Sequence, residues 1–129
     1  MNRIFAYIKF TGTEDVSVIT NVLNLEPSRS WNVGEKRQNG SIYNFSHWSY
    51  ENSNFEREPL DEAISEVLSF IESKKASFNL VPHCFEFTIQ CVGHHEENIS
   101  GFHLSRELIE RLHKVKATVD FDLYCHKEG

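Results

Sequence analysis

No window of the sequence approaches the run of about 18 apolar residues that a membrane-spanning helix needs, so no membrane span is expected. The first residues, "MNRIFAYIKFTG", are not expected to serve as a signal peptide either. Tyr7 and Lys9 interrupt the apolar run, and no small-residue cleavage site follows. Cysteine is scarce and odd in number: Cys84, Cys91 and Cys125. That count does not suit a disulfide framework, and in strand-like runs a free cysteine serves as a small hydrophobe. A cytoplasmic protein is expected. Positive charge is also short, with 13 Lys and Arg against 19 Asp and Glu, a net charge of −6. Such a surface disfavours nucleic-acid phosphates and anionic lipid as partners. Lys36-Arg37 and Lys74-Lys75 are the only short basic clusters. No phosphate-binding loop, dinucleotide-binding glycine motif, nucleophile elbow or HExxH helix occurs.

What is present is a soluble composition, 40% hydrophobic and 25% charged, in a length of 129 residues that suits one domain, 1–129. "RIFAYIKF" alternates Ile4, Ala6, Ile8 and Phe10 against Phe5, Tyr7 and Lys9, a strand buried on one face. Gly12 ends it. Thr13 is the expected cap of a helix carrying Ile19, Val22 and Leu23, which Pro27 stops. "SRSWNVGEKRQNGSIYNFSHWSY" reads as a hairpin around Asn39-Gly40, a pair suited to a two-residue type I′ turn. "ENSNFERE" reads as a mobile polar loop. Pro59 opens a helix over 60–75, with Leu60, Ile64, Val67, Leu68 and Ile71 in one stripe. "HCFEFTIQCV" alternates again as a strand. Ser105 then caps a helix whose stripe is Leu108, Ile109, Leu112 and Val115. "TVDFDLYC" is a last strand, with Asp120 and Asp122 on its wet face. The order β-α-β-β-α-β-α-β predicts an α+β two-layer sandwich. Its sheet is mainly antiparallel with helices on one face, and its first six elements follow a split β-α-β plan.

Several pieces together resemble the bacterial domain-of-unknown-function family 4279. They are "KFTG" at the end of the first strand, "LNLEPSRSW" with Gly34 soon after, and "HWSYE" in the hairpin. The helix 60–75, "GFHLSRELIERL" and "VDFDLY" complete the set. The resemblance covers most of the chain. It implies a small bacterial protein and supplies no activity, substrate, cofactor or catalytic residue. The histidines at 94–95 are not part of that pattern.

Two clusters bear on function. Cys91, His94, His95 and His103 are metal-ligating residue types within a short stretch, and Glu96 and Glu97 are near. Their spacing matches no paired zinc motif, and adjacent strand residues point to opposite sides. A polar loop leading to a helix is the favoured reading, with Phe102 or Leu104 packing against the first turns and His103 between them. In the hairpin, a two-residue turn would set Trp31 directly opposite Trp48. Such a pair is commonly core, but with Tyr43 and Tyr50, and Phe45 and Phe55 nearby, it could form a binding surface. The leading expectation is a non-catalytic protein-interaction module, immunity-type being one form of it by analogy, with no cofactor. The alternative is a small-molecule or metal-binding domain, with catalysis within its scope, using the aromatic hairpin and the histidine-rich loop. The residues expected to bind are Trp31, Trp48, Tyr43, Tyr50 and His103.

Overall fold

The computed structural model describes residues 2–98 and 101–126. The first strand, β1 (Arg3–Gly12), runs through the middle of the sheet. It is followed by α1 (Ser17–Leu23), β2 (Arg29–Trp31) and β3 (Ser46–Tyr50), then α2 (Leu60–Ser73) and the short α3 (Lys75–Asn79). β4 (Glu86–His95), α4 (Arg106–Val115) and β5 (Thr118–Cys125) complete the order. The sheet order is β2-β3-β1-β4-β5. The first three pairings are antiparallel and only β4–β5 is parallel, joined through α4 as a β-α-β unit. β3 separates β2 from β1, which is the split β-α-β arrangement, and β5 extends the sheet beyond β4.

The period-two pattern assigns the two faces. Ile4, Ala6, Ile8 and Phe10 of β1, with Ile89 and Cys91 of β4, bury against the helices. α2 presents Leu60, Ile64, Val67, Leu68 and Ile71 to that layer. The amphipathic α4 adds Leu108 and Leu112. Arg111 ties α4 to α2, its guanidinium reaching both Glu72 carboxylate oxygens (3.0 and 2.8 Å) and the Ser65 hydroxyl at 2.9 Å. None of the helices among the described residues lies over the other face of the sheet.

Local chemistry sets the boundaries. Ser105 caps α4, its hydroxyl accepting from the Leu108 N–H at 3.1 Å. α1 begins later than Thr13. There the Asp15 carboxylate accepts from the Ser17 N–H at 2.9 Å, which holds its pKa below the usual carboxylate value. The helical stretch over 60–75 divides at Lys74, whose φ of −123° and ψ of 30° lie outside the helix, and resumes as α3. "ENSNFERE" is anchored rather than loose. Ser53–Phe55 forms a 3-10 turn, and Phe55 is buried against Tyr50 and Phe70. Of the cysteines only Cys91 is buried, so the reading of Cys84 and Cys125 as small hydrophobes fails.

The hairpin register differs from expectation by one residue. Trp31 faces His47, and Trp48 faces Ser30. The cause is the turn. Gly40 takes a positive φ of 88° but Asn39 does not, so the two-residue type I′ geometry is absent. Instead the Arg37 N–H donates to the Ser41 carbonyl at 2.7 Å, and the Gly40 N–H donates to the Arg37 carbonyl at 3.1 Å. That closes a three-residue loop over 38–40. One extra loop residue moves every facing pair by one, which puts Trp31 and Trp48 on opposite faces of the sheet.

Candidate functional site

The helix-free face gathers the alternate residues of all five strands. At the β2 end, Trp31 is sandwiched between Tyr43 and His47. Its centroid lies 4.2 Å from each ring, with interplanar angles of 14° and 12°. The Trp31 indole N–H donates to the Phe45 carbonyl at 3.1 Å, which fixes the ring. Arg37 lies over Tyr43 at 4.8 Å and Arg29 over Trp31 at 5.3 Å. His47 is only 8% exposed. Burial, then Arg29 and Lys9, pushes its pKa down to about 4, so the imidazole is neutral at pH 7. Its Nε2 lies 3.0 Å from the Ser49 hydroxyl.

A polar relay crosses the middle of the same face. Lys9 Nζ donates to Gln90 Oε1 at 2.8 Å, and Gln90 Nε2 donates to Asp122 Oδ2 at 3.1 Å. Lys9 is on β1, Gln90 on β4 and Asp122 on β5, so one chain of bonds joins the cationic side to the acidic edge. Gln90 is buried, and both ends of its side-chain amide are bonded, to Lys9 and to Asp122. Tyr7 is held above its ordinary pKa, chiefly by burial and then by Glu51 and Asp122.

Of the five residues expected to bind, two share this face. Trp31 and Tyr43 are stacked together. Trp48 is fully buried on the helix side, where its indole N–H donates to the Thr20 hydroxyl at 3.0 Å. Tyr50 also packs on the helix side, stacked on Phe70. His103 is exposed in the segment before α4, between the half-buried Phe102 and Leu104. A single surface made of all five is therefore excluded by the register. The residues that spacing did not single out are His47, Arg29, Lys9 and Gln90. Their alternation in "RSW", "SHWSY" and "EFTIQ" was readable, but the facing partners depend on the loop.

The four metal-ligating types are also divided. Cys91 and His95 project to the helix side, while His94 lies on the other, stacked on Tyr124 with its Nδ1 2.9 Å from His126 Nε2. Burial pushes the Cys91 thiol up to about 12, with Asp120 adding to it. Among the described residues no three His, Cys, Asp or Glu side chains gather as a metal site would require.

The arrangement defines an α+β fold in which one sheet face is given to the core and the other is covered by none of the described helices. No helix among the described residues is long and apolar enough to cross a membrane. The chain belongs to the DUF4279 family, a domain of unknown function, whose model matches residues 2–126. No curated protein and no solved structure matches the chain.

Proposed function

We propose that the chain is a non-catalytic protein-interaction module of the bacterial cytoplasm, and that its helix-free sheet face makes the contact. The observation that carries this reading is the Tyr43–Trp31–His47 stack on a sheet face that no described helix covers. Tryptophan and tyrosine contribute disproportionately to protein interfaces, and rings already held in place lose little freedom on binding. The net charge of −6 favours a basic partner and speeds its approach. Neutralisation of a secreted toxin, the immunity-type role, is the form that fits an acidic module. Nucleic acid and membrane are not partners in this reading.

Calorimetric titration against the purified products of the neighbouring genes tests it. One of them binds with a submicromolar Kd. Failure of every neighbour to bind removes the reading.

A further inference from the structure

A cavity of about 420 Å³ lies between α3, the end of α4 and the helix side of the sheet, where β1 ends and β4 begins. Its floor is aromatic. Phe10 and Phe87 are facing residues of β1 and β4, and their rings stack at 4.8 Å. Phe78 of α3 lies 5.8 Å from Phe87. Phe10 is buried, whereas Phe78 and Phe87 are only half-buried and line the cavity.

The rim is cationic. Lys75, Lys114 and Lys116, three of the seven lysines in a chain of net charge −6, line it with His83, and no Asp or Glu does. The fold brings Lys75 to two lysines that the sequence keeps far from it. None of the three ammonium groups has an ion-pair or hydrogen-bond partner among the described residues. Lys114 and Lys75 act on Glu72 only at a distance, because that carboxylate is bonded to Arg111. Cations gathered without counter-charges repel one another, and a bound anion relieves the repulsion. Lys116 also stands out by its backbone. It ends α4 with a φ of 59°, a left-handed position that glycine usually takes. Its N–H donates to the His113 carbonyl at 3.0 Å, and the Ala117 N–H donates to the Leu112 carbonyl at 3.3 Å, so these carbonyls at the helix end are occupied.

We propose that this cavity binds a small aromatic molecule bearing a phosphate group, with the ring on the phenylalanine floor and the phosphate among the lysines. The ring follows from the floor, since aromatic rings pack against one another in stacked and edge-on geometries. The phosphate follows from the kind of cation. Arginine's fork matches a planar carboxylate, and no arginine lines the cavity. Lysines act as point charges and suit a group with three charged oxygens. The volume is that of a small-molecule site. The cavity is on the opposite side of the sheet from the proposed protein contact and does not depend on it.

Titration of the ¹⁵N-labelled protein at low ionic strength with phenyl phosphate, and separately with phenol, benzoate and inorganic phosphate, tests the proposal. Phenyl phosphate gives saturable shifts at the amides of Phe78, Phe87 and Lys116. The other three each lack the ring or the phosphate, and they bind at least about fivefold more weakly. The double variant Lys114→Gln, Lys116→Gly weakens phenyl phosphate at least about fivefold. Glycine is favoured at the second position, and the amide spectrum reports directly that the variant is folded. Absence of saturable shifts at these amides, any of the three simpler compounds binding within about fivefold of phenyl phosphate, or a smaller loss in the double variant would overturn the proposal.

Discussion

The rings of Trp31 and His47 lie 4.2 Å apart and within 12° of parallel, as directly facing residues of β2 and β3. This pairing organises the helix-free face. It buries an imidazole under an indole and beside two cations, so the histidine is kept neutral.

The pH dependence of stability follows from that. The folded-state pKa of His47 is about 4, below the ordinary value of 6.5. Above pH 6.5 the ring is neutral in both states and contributes no pH dependence. As pH falls from 6.5 toward 4, the unfolded chain takes up a proton that the folded chain refuses, and stability drops by roughly 2–3 kcal/mol. Urea unfolding at pH 7.5 and 4.5 measures the loss. The His47→Gln variant has a shallower dependence over that interval, and a dependence identical to that of the original chain contradicts this account of the site.

The one-residue register separates the two tryptophans energetically. Trp48 fills the core, and Trp48→Ala costs about 3–5 kcal/mol. Trp31 is half-buried in a three-residue edge strand, and Trp31→Ala costs about 1–2 kcal/mol through its lost stacking. Chemical denaturation of the two variants checks the order. Equal losses would point to a facing Trp31–Trp48 pair.

The cysteines sort by exposure. Cys91 is buried with its thiol pushed up to about 12, while Cys84 and Cys125 are exposed. Alkylation at pH 8 followed by mass measurement modifies Cys84 and Cys125 in the folded protein. Cys91 reacts only after urea is added. Modification of Cys91 at the same rate as the others would contradict its place on the helix side of β4.

Gly93→Ala introduces a methyl group where His95 and Leu123 leave no space. The overpacking costs about 1–3 kcal/mol, and the thermal midpoint falls accordingly. An alanine tolerated without loss would mean that the His95 ring moves freely.

Much of the fold was legible in the sequence because period and face are local properties. The alternation in 3–10, 86–91 and 118–125 and the stripe in 60–71 identify strands and helix without knowledge of their neighbours. The family was legible from short pieces spread along the chain. The site was legible only in part. Asn39-Gly40 marks a hairpin, but whether it closes a two- or three-residue loop depends on the backbone of Asn39, and that choice decides which tryptophan faces which side. Phe55 sits in a polar segment whose composition gives no sign that one ring is anchored in the core. His95 stood out as a histidine among histidines. Its burial on the helix side of β4 depends on the pairings with β1 and β5, and no local pattern reveals those.

Contact between the helix-free face and a protein partner is tested by charge reversals on the two sides of the molecule. Asp122 is exposed on the helix-free face, and Glu110 is exposed on α4 on the other side. With the neighbouring-gene product that binds, Asp122→Lys weakens the affinity at least tenfold and Glu110→Lys changes it less than twofold. An affinity unaffected by Asp122→Lys, or weakened equally by both, would contradict it.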